Sequence, residues 1–262
     1  MLNTLAQPAA ADVTRQAAVV AALTATIGAN VLANSLPLNG QTTGNVATRF
    51  PLLIIPADYT FSIWGLIYSG LIGYAVYQAL PRQRANERLR RIAWPFVVSC
   101  AANVAWLLLW HYNRFGLTLG AMVGLLLALI TIDARLGQMR GPWVERLLVR
   151  LPFSIYLGWV SVATIINVAV SLYAAGWEGT PASREAWTAG LLSLGTALGA
   201  TLGVSRGDPV FPTVIAWAFA GVATRQADTP LVAPVARAAA AAALVMAPVA
   251  WLRAYRRRQE HA

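Results

Sequence analysis

The chain contains no lysine: all twenty of its basic residues are arginine, set against ten acidic residues, for a formal charge of +10. Histidine and cysteine are nearly missing too. With only His111, His261 and Cys100 to draw on, a His/Cys metal centre lacks ligands. Cys100 lies in an apolar run without a partner, which excludes an intramolecular disulfide and leaves the redox compartment open. Charge of either sign is scarce, at 11% of residues where a soluble domain carries roughly 25%. There are no paired carboxylates for a diphosphate–metal site and no nucleophile–base arrangement, so the chain offers little to an enzyme.

Apolar sequence fills the space. Hydrophobic residues make up 58% of the chain and the mean hydropathy is +0.57, values that mark an integral membrane protein. The runs are long enough to cross a ~30 Å hydrocarbon core at ~1.5 Å per residue, whereas barrel strands would be shorter and would alternate. The fold class is therefore all-α, a polytopic helical bundle. Spans are predicted near residues 15–36, 57–80, 92–112, 115–135, 148–174, 186–204, 210–225 and 232–252. The seventh is short and opens on Pro209 and Pro212. The first run follows a single arginine, Arg15, without a small-residue cleavage site, and reads as a retained helix.

The arginines orient the bundle. Segment 81–91, "PRQRANERLRR", and the cluster Arg135, Arg140, Arg146 and Arg150 fall on one side of an eight-span topology, with Arg15, Arg206 and the tail "RAYRRRQ". The positive-inside rule makes that side cytoplasmic, so both termini are predicted inside, as in a bacterial inner-membrane protein. The basic tail reads as an anchor held by anionic membrane lipid, and no nucleic-acid partner is expected. The outside connection 35–56, rich in Gly, Asn, Thr and Pro, is either a lid or a plain solvated link. The turn-rich stretch 174–186 suggests a boundary between a five-helix unit, 1–175, and a three-helix unit with the tail, 176–262. Ala- and Gly-rich faces in the latter permit close helix packing, and its helices would cover a face that smaller proteins use to dimerise.

Several polar and aromatic residues sit too deep for an interfacial belt. Trp159, Ala163, Tyr156 and Asn167 fall at about 0°, 40°, 60° and 80° on a helical wheel. Phe61, Trp64 and Tyr68 share an arc of about 60° on the second span, and Asn103 and Trp106 are neighbours on the third. Counted along the helix axis from Arg150, Arg91 and Pro56, Trp159, Asn103 and Trp64 lie roughly 13, 18 and 12 Å into the bilayer. An asparagine amide facing lipid is costly, so Asn103 and Asn167 face protein or a cavity. Either they join helices, at about 0.6 kcal/mol per contact, or the stripes together line an apolar, aromatic ligand pocket facing the second and third spans.

The runs "PADYTFSIWGLIY", "NVAW" and "YLGWVSVATIIN" resemble, in order, the second-, third- and fifth-helix patterns of the translocator protein family, also called TspO or tryptophan-rich sensory proteins. The resemblance covers about residues 15–174. It implies a five-helix bundle that binds planar hydrophobic ligands, such as porphyrins, in a pocket under the first loop. Carried over by position, the pocket would use Trp64 and Tyr68, Asn103 and Trp106, and Trp159 and Ala163, with Phe61, Tyr156 and Asn167 beside them. The first loop is longer than the family's, lacks Trp and keeps only Pro51 and Pro56. The Phe61–Trp64 spacing is one residue short, and the sterol-type motif after the fifth helix is absent. No cofactor is required under this reading, and a tetrapyrrole is the candidate ligand. The family's tryptophan-assisted porphyrin breakdown leaves room for catalysis. A receptor or sensor for a hydrophobic small molecule is the first expectation, a small-molecule transporter the alternative, and a ligand-free membrane subunit the third.

Overall fold

The computed structural model describes residues 6–36, 38–137, 142–177 and 184–259. Arg140, His261 and the centre of the 174–186 stretch lie outside the described residues. The long helices are α1 (Ala6–Ser35), α3 (Ile63–Ala79), α4 (Glu87–His111), α5 (Phe115–Leu136), α7 (Leu151–Ala174), α8 (Arg184–Arg206), α9 (Val210–Arg225) and α10 (Val232–Gln259). Two short helices, α2 (Thr43–Thr48) and α6 (Trp143–Glu145), complete the set, and no strand occurs among the described residues. Seven helices are long and apolar enough to cross a membrane; α9, with 16 residues, is the exception.

Five helices close a ring: α1 packs on α3 and α4, α4 on α5, α5 on α7, and α7 back on α3. Helices α8, α9 and α10 pack on one another, and α9 lies along the outer face of α7. This position explains why α9 can be short. Its rise is only ~24 Å against a ~30 Å core, but ten of its residues are buried against the rest of the protein rather than facing lipid. The same arrangement covers α7 on all sides. Of its most apolar window 67% is buried, against 22–39% for the other six long spans.

Small residues set the closest approaches. On α8, Gly195, Gly199 and Gly203 recur every four residues and face Phe219, Ile215 and Pro212 of α9. A Cβ on Gly203 would stand 2.8 Å from the Pro212 ring. On α3, a Cβ on Gly70 would meet the Pro152 side chain of α7 at 2.9 Å. Pro152 has no N–H to give the preceding turn, and that turn, Arg146–Arg150, is a wide π turn.

The 38–57 connection is folded over one end of the ring, which decides between lid and solvated link. Val46, Ile54 and Ile55 are buried, the Trp110 indole donates to the Thr43 carbonyl at 3.1 Å, and Phe50 meets Phe115 and Tyr173 edge to face. Its last part is fixed to α9, where the Ala57 N–H donates to the Gly221 carbonyl at 3.0 Å.

At Gly221 a Cβ would lie 2.0 Å from the Thr60 hydroxyl and 3.0 Å from Pro56. Gly221→Val should therefore lower stability by about 1–3 kcal/mol through overpacking. Gly120→Ala, at an α5 position with nothing within 4 Å, should be neutral or stabilising. Thermal unfolding in detergent compares the two, and equal midpoints would show that α9 does not seat on the 56–60 turn as described.

Candidate ligand site and the buried ionic network

The aromatic stripe residues of α3 and α7 converge. Trp64 stacks on Tyr68 at 5.5 Å between ring centroids and meets Tyr156 at 5.9 Å and Trp159 at 6.3 Å edge to face. Phe61, in the 3₁₀ turn Asp58–Ser62 that opens the second span, closes on Trp159 at 5.8 Å. Such edge and offset contacts are the favoured geometry for aromatic rings. Trp159 and Tyr156 are each 2% exposed, while Phe61, Trp64 and Tyr68 are half-buried.

A chain of amides and a phenol runs behind these rings. Asn30 of α1 donates to the Asn103 carbonyl oxygen at 3.0 Å, and the Asn103 amide donates to the Tyr156 hydroxyl at 3.0 Å. Three helices of the ring are thus joined through Asn103. Asn30 escaped notice in the sequence, although the desolvation argument applied to Asn103 applies equally to an amide in the first span.

Trp106, Ala163 and Asn167 are placed differently. Trp106 stacks on Trp110 at 5.4 Å, toward the lid. Ala163 is half-buried, one turn beyond Trp159 on α7. Asn167 does not face α3 and α4 as expected: it exchanges hydrogen bonds with Thr118 of α5 at 3.1 and 3.3 Å. At about 80° from Trp159 on the wheel, it has rotated past the ring interior onto the α5–α7 contact. Its amide joins helices.

Two buried donors in this region have no protein partner, the indole N–H groups of Trp106 and Trp159, while the Tyr68 hydroxyl lies against the Asn103 amide. Buried Tyr and Trp polar tips ordinarily find acceptors, so these are exceptions that call for an acceptor.

A second polar centre lies at the opposite end of α7, and the span-by-span reading of the sequence overlooked it. Arg150 bridges Asp133 of α5 and Asp208, with 3.1 Å to the latter. Asp133 also pairs with Arg206. Ser154 donates to Asp208 at 2.5 Å, and the other Asp208 oxygen accepts from the Val210 and Phe211 N–H groups, capping α9. Asp133, Arg150 and Asp208 are each at most 5% exposed. Two arginines balance two aspartates, so the group is neutral as a whole. A cavity of about 70 Å³ beside Asp133, Arg206 and Asp208 has room for one or two waters at ~30 Å³ each.

These features define a class: a polytopic α-helical membrane protein with a closed five-helix ring and an aromatic cluster under a folded lid. The family assignment follows from comparison. The model of the TSPO-like protein family matches residues 16–250, and the chain belongs to that family. The match does not stop at α7 but runs through α8, α9 and most of α10, further than the motifs alone reach. No curated protein and no solved structure matches the chain.

Arg150→Met would leave Asp133 short of one partner and Asp208 without its charge partner, and should cost about 3–5 kcal/mol. Arg91→Met, which opens the exposed pair with Glu87, should leave the unfolding midpoint unmoved. If both variants melt with the wild type, the network contributes nothing to the fold.

Proposed function

We propose that this protein is a membrane receptor or sensor that binds a planar hydrophobic molecule carrying hydrogen-bond acceptors, a tetrapyrrole such as a porphyrin, among Phe61, Trp64, Tyr68, Tyr156 and Trp159. The observation that carries the reading is the partnerless indole N–H of Trp159 within the cluster, together with that of Trp106 toward the lid. A bare hydrocarbon would leave them unsatisfied. A flat ring system with nitrogen or carboxylate acceptors would pair them while stacking on the indoles, and family membership agrees with such a ligand. Asn103 is fixed at both ends by Asn30 and Tyr156, so its role is to hold Tyr156 rather than to contact the ligand. Asn167, committed to Thr118, is left out of the site. Under the same reading both termini face the cytoplasm of a bacterial inner membrane, because the arginine-rich connections share their side.

The protein in detergent is titrated with protoporphyrin and binding followed by porphyrin fluorescence. Trp64→Phe and Trp159→Phe should each weaken binding about 5- to 30-fold, the effect of ~1–2 kcal/mol. Asn167→Ala should leave affinity alone. Saturable binding that ignores both tryptophan substitutions would move the site away from this cluster.

A second reading, a small-molecule transporter, is favoured by the Arg150–Asp133–Asp208–Arg206 network, because ionisable groups within a membrane commonly couple transport to ions or protons. Uptake of protoporphyrin into proteoliposomes above empty controls, lost in Asp208→Asn, would replace the receptor reading. Equal uptake in the two preparations would remove transport.

A further inference from the structure

Helix α9 is fastened to the ring at two heights. Toward the lid, the Trp217 indole donates to the Thr60 carbonyl at 3.1 Å, and the Tyr59 and Trp217 rings meet edge to face at 5.3 Å. Toward the ionic network, Asp208 ties the start of α9 to Arg150 and Ser154. Between these points α9 packs on α7 and stands off α3, leaving a groove of about 540 Å³ lined by Ser62, Ile63, Leu66, Ile155, Val214 and Trp217. That volume is in the ~300–1,000 Å³ range of small-molecule sites.

The groove is apolar, and it opens where side chains face lipid: Leu66 is 58% exposed and Trp217 39%. The Trp217 N–H is spent on Thr60, and the hydroxyl of Thr213, also at the groove, is spent on the Pro209 carbonyl. On the α3 wheel Ile63 and Gly70 point at α7, with Leu66 about 60° to one side and Trp64 and Tyr68 about 100–140° to the other. On α7, Ile155 stands between Gly158, which faces Val214 of α9, and Pro152, which faces α3. Tyr156 and Trp159 lie on the α3 side of it, by about 100° and 40°. The seam between Ile63 and Ile155 is thus shared: the groove is on its lipid side and the aromatic cluster on its ring side.

We infer that this α3–α7–α9 groove is a bilayer-facing capture site, at which the flat apolar ligand is taken from the membrane before it passes the Ile63–Ile155 seam into the aromatic cluster. The inference rests on the pocket reading above. The groove's occupant is the same molecule, because the two spaces share a wall and because the groove has no free charge to select a headgroup. Side chains that fill the groove should slow transfer in both directions without changing the affinity of the inner site.

The full chain is reconstituted in lipid nanodiscs doped with protoporphyrin, and the time course and amplitude of porphyrin fluorescence are recorded. Leu66→Phe combined with Thr213→Phe fills the groove from two exposed positions; Leu117→Phe, exposed on α5, is the control, and Trp64→Phe with Trp159→Phe tests the inner site. Association and dissociation should both fall about tenfold in the groove variant at unchanged Kd, while the control matches the wild type. Wild-type rates in the groove variant overturn the capture site and leave the pocket reading standing. A Kd weakened by groove filling but not by the tryptophan changes supports binding in the groove and overturns the inner pocket. No saturable binding in the wild type overturns both.

Discussion

The Arg150 guanidinium is the point at which the two helical units become one structure. A charge taken out of water must find its counter-charges inside the protein, because lipid supplies none. Asp133 comes from the ring and Asp208 from the turn before α9, so satisfying Arg150 fixes where α9 starts and how it lies on α7. Asp208 then caps α9 with its second oxygen. The π turn Arg146–Arg150 serves the same end. Pro152 cannot donate to the turn before it, the widened turn accommodates that loss, and Arg150 is its last residue.

The same rule separates the polar residues that satisfy one another across helices from those that have no protein partner. Asn167 and Thr118 satisfy each other across α5 and α7, and Asn30, Asn103 and Tyr156 do so across α1, α4 and α7. These groups are complete without any further partner. The Trp106 and Trp159 indoles are not. Left unpaired, each costs about 1–3 kcal/mol, a cost that the buried Tyr74 hydroxyl beside Phe96 and Phe153 carries as well.

Much of this was legible in the sequence, and what was not has a common cause. The eight long helices followed from apolar run length, but only seven of them are long and apolar enough to cross a membrane, α9 falling short. The helical period placed Trp64 with Tyr68 and Tyr156 with Trp159 on single stripes, and the packing of α3 on α7 brings these stripes together. The partners of Arg150 were not legible, because the positive-inside rule treats an arginine near a span end only as a marker of side, and nothing local reveals that Asp208, 58 residues on, pairs with it. Asn167 went astray for a related reason. A wheel gives the angle between residues on one helix but not the direction of the neighbouring helix, and 80° was enough to carry it from the ring interior to α5. The lid was undecidable from composition, since Val46, Ile54 and Ile55 are buried by residues distant in sequence.

Covering α7 on every side also changes what each of its residues can mean. In a ring of five helices standing alone, Gly158 and Ile165 would face lipid, and a glycine there would read as a flexible point or a dimer contact. Here a Cβ on Gly158 would come within 3.0 Å of Val214, and Ile165 packs against Gly195. Gly158 of α7 and Gly195, Gly199 and Gly203 of α8 therefore answer to α9. Close packing there brings the Asp208 turn onto Arg150, and the tie between Trp217 and Thr60 holds α9 beside the 3₁₀ turn that carries Phe61. A change at the α7–α9 contact thus has a short physical route to the aromatic cluster, through one turn of backbone, although no side chain of α9 belongs to the cluster itself.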